Sequence, residues 1–280
     1  MAYAVAEDPA VLTPFMVNLD GFALTHTYET VDVPAEEDAD AFLPPYQATN
    51  CFDFEHPKNI GYSAGPDYNR YFKYYEHRDM LGAFEAIDRV EARFAECFGR
   101  AYTGPVEAVS CDDAEAVLVT LGSIAGLARE SVARLREQGK RVGLLRIRYM
   151  RPFPAKLIAE ALAGAAAVGV LEKDISFGAE GTVFTNVNSA LQQAGCMVPT
   201  FNFVGGLGGD DITSAQMDAM FDALLDSVGE RGRDDAAAGR SCDDASTGQG
   251  AGLGRVSFLG IDFSVASQPA CGDDCKEGAR

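Results

Sequence analysis

The stretch Val142–Leu171, VGLLRIRYMRPFPAKLIAEALAGAAAVGVL, decides the fold because it contains a complete strand–helix–strand unit. Its two ends, Val142–Ile147 and Ala167–Leu171, are short runs rich in Val, Leu and Ile, which is typical of strands buried on both faces. Pro152 or Pro154 can begin a helix between them, and this helix ends before Gly164. A crossover helix of this kind joins two parallel strands of one sheet.

The same alternation extends in both directions along the chain. Two more apolar runs predict strands at 117–121 and 198–204, and capping residues and terminal glycines predict the helices between the strands. The first of these helices runs from a cap at Ser123 to about Gln138 and is followed by Gly139. The second runs from about Glu180 to Ala194 and is followed by Gly195, and the last begins after a cap at Thr213. The pattern predicts an α/β domain, a doubly wound, mostly parallel sheet with helices on both faces.

The N-terminal hundred residues carry a different pattern. Thr13–Leu19 (TPFMVNL) predicts one buried strand, and the turn dipeptide Asp20-Gly21 follows it. Residues 30–69 hold five of the twelve prolines and little periodicity, which predicts a long connecting segment. A helix is predicted from Arg70 to Phe98, with Gly82 as a candidate interruption and Gly99 as its stop signal.

The C-terminal residues have the composition of a disordered, acidic tail. Residues 229–254 contain seven glycines, clustered Asp and Ser, and one large aliphatic residue, Leu253, so they offer little to pack. Residues 256–263 alternate well enough to predict a late edge strand. We therefore divide the chain into residues 1–100, residues 101–228 and a mostly disordered tail at 229–280.

Charge and hydropathy exclude two classes of partner. Lys and Arg total 23 against 42 for Asp and Glu, a net charge of −19, and such a surface repels the phosphates of nucleic acid and of anionic lipid. No apolar run approaches the roughly 18 residues that span a bilayer, and the N-terminus lacks a signal-peptide pattern. We expect a cytoplasmic protein that contacts neither nucleic acid nor membrane.

The cysteines predict neither a disulfide framework nor a metal site. They are odd in number and scattered, which suits free thiols in a reducing compartment. The one close pair lacks further ligands at the spacing that zinc or iron–sulfur sites require. The seven are Cys51, Cys97, Cys111, Cys196, Cys242, Cys271 and Cys275.

Two clusters near predicted strand ends are candidates for a site. Gly205–Gly209 (GGLGG) follows a strand, but it matches no phosphate-binding spacing and Asp210-Asp211 would repel a phosphate, so a tight structural turn is favoured. Glu172-Lys173-Asp174 follows another strand at the edge where open α/β sheets bind ligands. The alternative is that these charges solvate the strand end and pair with arginines from a neighbouring strand, namely Arg146, Arg148 or Arg151.

Several longer strings, in the same order, resemble one family. The N-terminal strings are PFMVNLDGF at 14–22, LTH at 24–26, VDVP at 31–34 and FLPPY at 42–46. The later strings are LGS at 121–123, VGLLRIR at 142–148, RPFP at 151–154, DISFG at 174–178, GLGG at 206–209 and FLG at 258–260. Together they resemble the alpha subunit of pyruvate:ferredoxin oxidoreductase over about residues 1–225.

The resemblance implies an enzyme of several subunits that depends on thiamine diphosphate. Such an enzyme converts pyruvate and coenzyme A into acetyl-CoA and carbon dioxide, and its electrons pass through iron–sulfur clusters to ferredoxin. The cofactor supplies the carbanion chemistry. By the same resemblance, the chain carries part of a pyrimidine-binding domain and a transketolase C-terminal-like domain, while beta, gamma and delta subunits supply the rest.

The resemblance also implies that the cofactor site is incomplete in this chain. The family's activating glutamate lies upstream of the segment that Pro14 begins, and Asp210 stands where the family commonly has arginine. We therefore assign no catalytic residue and expect the chain alone to bind no cofactor. Asp20, Phe22 and His26 are candidates for a subunit or cofactor interface. The alternatives are a non-catalytic α/β interaction or regulatory module, or a subunit that serves another 2-oxoacid.

Overall fold

The computed structural model describes residues 1–21, 23–48, 50–61, 63–234 and 256–260. These residues form one sheet with the strand order β1-β3-β2-β4-β5-β6, in which every neighbouring pair is parallel except β1 with β3. The predicted α/β class and mostly parallel sheet are confirmed. The strands are β1 Val106–Val109, β2 Ala116–Leu121, β3 Val142–Ile147, β4 Ala167–Glu172, β5 Thr200–Val204 and β6 Val256–Phe258.

Helices cover both faces of this sheet, as the doubly wound pattern predicts. Alternate residues of each central strand enter opposite cores, so Val117 and Val119 pack on one face while Ala116 and Leu118 pack on the other. This two-sided burial explains why the strands read as continuous apolar runs. The first core contains α6 (Ala155–Leu162) and α7 (Thr182–Gln193), and the second contains α5 (Ala125–Glu137) and α8 (Ser214–Asp234).

The start of α8 confirms one predicted cap, and the start of α5 corrects another. Thr213 Oγ1 accepts a hydrogen bond from Gln216 N at 3.2 Å, and Gln216 Oε1 accepts one from Thr213 N at 2.8 Å, which is a capping box. Ser123 instead lies inside a 3₁₀ turn, Gly122–Ile124, that precedes α5. Its hydroxyl donates to Asp20, so it does not cap the helix.

The N-terminal part is built on one long helix. This helix, α4, runs from Pro66 to Phe98 without interruption at Gly82, and it ends at Gly99 in the left-handed conformation, with φ of 63°. Its second half packs Ala83, Ala86, Ile87 and Val90 against two short helices. These are α1 (Ala2–Ala6) and α3 (Glu36–Phe42); a third, α2, spans Ala23–His26.

The predicted strand at Thr13–Leu19 is wrong. The segment is irregular, and Met16, Val17 and Leu19 are 79%, 73% and 75% exposed. A strand needs a neighbour to satisfy its backbone hydrogen bonds, and within the described ranges no strand pairs with this one. The connecting segment predicted at 30–69 is also partly wrong, because α3 lies inside it and α4 begins at Pro66.

A buried ion pair attaches α4 to the sheet domain. Glu91 on α4 accepts hydrogen bonds from Arg148 Nη1 at 2.9 Å and from Gly104 N at 2.8 Å, and the hydroxyl of Tyr149 lies 3.3 Å from it. The side chains of Arg148 and Glu91 are only 13% and 7% exposed. Burial, and then the Glu91 charge, raises the pKa of Tyr149 to about 12.

The C-terminal boundary differs from the prediction. Helix α8 continues to Asp234, past the boundary placed at 228, so residues 229–234 are helical. The edge strand predicted at 256–263 is present as the shorter β6, which pairs in parallel with β5. Residues 235–255 and 261–280 lie outside the described residues, so the disorder predicted there stays a prediction.

In the described part of the chain, no helix is both long and apolar enough to span a membrane.

One buried thiol should resist modification in the native protein. Burial raises the pKa of Cys111 from 9.0 to about 11, and its Sγ lies 3.3 Å from the carbonyl oxygen of Leu144. Near pH 8 this thiol carries about 100-fold less thiolate than a thiol of pKa 9.0. Mass spectrometry after iodoacetamide treatment should show alkylation at the exposed Cys51 and Cys97, and at Cys111 only in denaturant. Equal native labelling of Cys111 and Cys97 would contradict this.

Candidate functional site

The carboxyl edge of the sheet contains a topological switch point between β2 and β4. From β2 the chain crosses to β3 on one side, and from β3 it returns past β2 to β4 and then to β5. Open α/β sheets bind ligands in the crevice outside such a switch point. The turn Gly122–Ile124 follows β2 at this edge, and Lys173 follows β4.

Asp20 reaches this edge from the N-terminal segment. Its Oδ2 accepts a hydrogen bond from the Ser123 hydroxyl and lies 3.6 Å from Lys173 Nζ. The side chains of Asp20 and Lys173 are 40% and 42% exposed. A Cβ at Gly206 would lie 3.0 Å from Lys173 Cε, so the lysine stem rests against this glycine. One carboxylate, one ammonium and one hydroxyl therefore meet at the switch point.

Of the other two predicted interface residues, His26 lies among the described residues. His26 ends the exposed helix α2, and its Nδ1 lies 3.2 Å from Thr25 Oγ1. Phe22 lies outside the described residues. The interface role of Asp20, Phe22 and His26 stays a prediction, and Asp20 is seen against the sheet.

Glu172, the last residue of β4, is a buried anchor for helix α7. Its carboxylate accepts hydrogen bonds from Val183 N at 2.8 Å, Phe184 N at 3.2 Å and Asn202 Nδ2 at 2.8 Å. A Cβ at position 181 would overlap this carboxylate, so the position requires glycine. Burial raises the pKa of Glu172, although the three donors act in the opposite direction. Glu172 therefore joins two strands to one helix.

The alternative interpretation, in which this strand end pairs with Arg146 in β3 or with Arg148 and Arg151 after β3, is wrong. Arg146 pairs with Glu107 at 3.5 Å, Arg148 pairs with Glu91, and Arg151 donates to the Met150 carbonyl oxygen at 2.7 Å. The reason is the strand order, because β2 lies between β3 and β4 and separates their ends.

The glycine cluster forms a tight turn beside a small cavity. Gly206, Gly208 and Gly209 have φ of 70°, 67° and 88°, a conformation that favours glycine. The cavity, about 280 Å³, lies between this turn and β6, with the Asp210 carboxylate at its wall. Helix α8 starts five residues after Gly209 and is capped by its own Thr213, so no helix N-terminus opens into the turn. The geometry supports the structural-turn interpretation.

Sequence reasoning missed two functional features of this edge. Asn202 is a buried polar residue inside an apolar run, and its Oδ1 accepts a hydrogen bond from Gly181 N at 2.8 Å. This interruption of the strand pattern was a usable signal. The contact of Asp20 with Ser123 joins residues 103 positions apart and has no local sequence signal.

Family comparisons cover both parts of the chain. Residues 1–92 match the model described as pyruvate flavodoxin/ferredoxin oxidoreductase, thiamine diphosphate-binding, and residues 114–217 match pyruvate:ferredoxin oxidoreductase core domain II. The chain belongs to the pyruvate:ferredoxin oxidoreductase family. The resemblance expected from the sequence strings is confirmed.

Relatives within the oxidoreductase family include subunits named for two substrates. Pyruvate synthase subunit PorA of Methanothermobacter thermautotrophicus is 42% identical over 220 residues, which is 79% of this chain and 56% of that protein. Ketoisovalerate oxidoreductase subunit VorA of Pyrococcus abyssi is 38% identical over 221 residues, 79% of this chain and 55% of that protein. The chain thus spans about half the length of these relatives.

A solved structure has a limited similarity to this chain. It is 2-oxoglutarate:ferredoxin oxidoreductase from Magnetococcus marinus, with a TM-score of 0.39 and 16% identity over 58% of this chain and 24% of that one.

The described residues do not assemble a site for the thiamine diphosphate that the oxidoreductase family implies. The irregular segment 13–21 is mostly exposed, and Glu29, a carboxylate in the same region, is exposed as well. Among the described side chains, no three of His, Cys, Asp or Glu are grouped so as to hold a metal ion. These residues do not fit the cofactor by themselves, so we derive no chemical step through it.

Proposed function

We propose that this chain contributes the alpha-subunit part of a thiamine-diphosphate-dependent pyruvate:ferredoxin oxidoreductase. The reaction consumes pyruvate and coenzyme A, releases acetyl-CoA and carbon dioxide, and passes electrons through iron–sulfur clusters to ferredoxin. The observation that carries this proposal is the succession of two oxidoreductase family models along one chain, at 1–92 and 114–217. The division of the chain near residue 100 is part of the proposal, and it is supported by the end of α4 at Phe98.

The exposed apolar surface of the N-terminal part supports a role inside a complex with the beta, gamma and delta subunits. The first half of α4 exposes five aromatic side chains, and the segment before α2 exposes several aliphatic ones. Single exposed apolar residues are ordinary, but the spacing of positions 68, 71, 72 and 75 places four aromatic side chains on one face of the helix, which is typical of an interaction surface. The aromatic residues are Tyr68, Tyr71, Phe72, Tyr74 and Tyr75.

Pyruvate is the substrate we propose, with ketoisovalerate as the second candidate. The sequence Leu19-Asp20-Gly21-Phe22 favours pyruvate by resemblance, whereas the similarity to VorA supports the branched-chain acid. Free thiols at Cys51, Cys97, Cys111 and Cys196 suit a reducing compartment, so we place the reaction in the cytoplasm.

The decisive experiment compares the chain alone with the chain in its complex. Alone, the purified 280-residue chain should show no pyruvate-dependent viologen reduction and no thiamine diphosphate binding by calorimetry, because the resemblance implies that part of the cofactor site lies on another chain. Co-expressed with the partner subunits and with a chain that supplies the part of the relatives that these 280 residues do not cover, it should support reduction with pyruvate at a higher kcat/KM than with ketoisovalerate.

Two outcomes would contradict the proposal. Micromolar binding of thiamine diphosphate by the chain alone, about −8 kcal/mol, would show a site that includes a residue such as Glu29. A fully assembled complex without 2-oxoacid-dependent reduction would favour the non-catalytic module instead.

A further inference from the structure

The switch point between β2 and β4 has the donors of an anion site. Ser123 supplies a hydroxyl from the turn after β2, and Lys173 supplies an ammonium from the residue after β4. Because β2 and β4 are neighbours while their connections leave in opposite directions, no crossover covers this crevice between them. The two donors therefore converge where this type of sheet binds ligands.

The crevice contains an internal anion. The Asp20 carboxylate accepts the Ser123 hydrogen bond and lies 3.6 Å from the Lys173 ammonium nitrogen. The structure thus shows how one carboxylate fits between these donors. A lysine and a hydroxyl together match a carboxylate oxygen, which accepts charge-assisted hydrogen bonds.

The interaction of Asp20 with Ser123 and Lys173 is weak enough for a ligand to displace the Asp20 carboxylate. Both charged side chains are about two-fifths exposed, and ion pairs exposed to that degree are weak because water screens the charges. The segment that carries Asp20 is irregular; besides Asp20, Phe15 contacts the sheet domain, with its ring 6.3 Å from the ring of Tyr149. Asp20 can leave without breaking a strand or a helix.

We propose that Ser123 and Lys173 form a carboxylate-binding site at the switch point, and that Asp20 is its tethered occupant, which a free carboxylate ligand displaces. The site acts as a latch: occupation by Asp20 holds the segment 13–21 across the strand ends, and occupation by a ligand releases it. This inference rests on the geometry alone and does not require the proposed oxidoreductase function.

The test titrates acetate into the ¹⁵N-labelled full chain, with sodium chloride exchanged to keep the ionic strength constant. Backbone amide shifts of Ile124 and Lys173 report the site. Because an ion pair exposed to this degree holds its partners by no more than about five-fold, Asp20→Asn should bind acetate about three- to five-fold more tightly than the wild-type chain. Adding Lys173→Met to that variant should abolish the saturable shift.

Asp32→Asn serves as the matched control, because it removes an exposed carboxylate from the same N-terminal region. It should leave acetate binding at the wild-type value. Equal acetate affinity of Asp20→Asn and wild type, or unchanged binding after Lys173→Met, overturns the proposal. Inorganic phosphate tested in parallel should bind Asp20→Asn less tightly than acetate, and the reverse order would overturn the carboxylate assignment.

Discussion

Replacing Glu91 with alanine is expected to lower the free energy of unfolding by about 3–5 kcal/mol, the usual cost of breaking a buried ion pair. The variant leaves the Arg148 guanidinium without a carboxylate at a position where that side chain is 13% exposed. It also removes the acceptor of Gly104 N–H. Urea unfolding followed by circular dichroism measures the change.

An exposed ion pair of the sheet domain is the control for Glu91→Ala. Arg141 pairs with Glu115, and their side chains are 58% and 39% exposed. Because water replaces the lost partner there, Glu115→Ala should cost less than about 1 kcal/mol. A Glu91→Ala variant within 1 kcal/mol of the wild-type protein would show that the pair does not hold α4 to the sheet domain.

Replacing Glu172 with alanine is expected to cost about 3 kcal/mol or more of unfolding free energy. The change deprives Val183 N–H, Phe184 N–H and the Asn202 amide of their acceptor, and each buried unpaired donor costs about 1–3 kcal/mol. Glu172→Gln keeps the shape and one acceptor oxygen, so it should cost less. Equal, near-zero losses for both variants would contradict the anchoring role.

The pH dependence of stability, compared between the wild-type protein and Glu172→Gln, tests the pKa of Glu172. Burial raises this pKa in the native state, so the native protein binds the proton more tightly than the unfolded chain does. The contribution of Glu172 to stability is therefore greatest below the pKa of the unfolded carboxyl and is lost as the pH rises through the native pKa. Relative to Glu172→Gln, which does not titrate, the wild-type protein should lose stability over that range. A constant difference would contradict the raised pKa.

The central sheet was predictable from local sequence because its signals are local. Val142–Ile147 has the predicted bounds, and β4 extends its prediction by one residue, to Glu172. Strands buried on both faces need unbroken apolar runs, and a helix start such as Thr213 with Gln216 needs only its own side chains. Neither depends on distant residues.

The strand prediction in the N-terminal part was wrong because strand formation depends on distant residues. Thr13–Leu19 has the composition of a strand, but a strand exists only where another one lies beside it to exchange hydrogen bonds, and in the described structure this segment has none. The periodic part of α4 was predicted because helical hydrogen bonds stay within the segment. Which of its side chains would be buried depended on α1 and α3.

The sequence by itself determined the α/β class, the parallel strands, most helix ends and the family, because each depends on a pattern of residues that are close together in the chain. Only the tertiary structure decided the strand order, in which β2 separates β3 from β4. Because of this separation, Arg148 pairs with Glu91, whereas Glu172 binds the first residues of α7. It likewise decided that Asp20 meets Ser123 and Lys173. Contacts between charges far apart in the chain follow from how the elements are placed, since no local propensity encodes a partner about a hundred residues away.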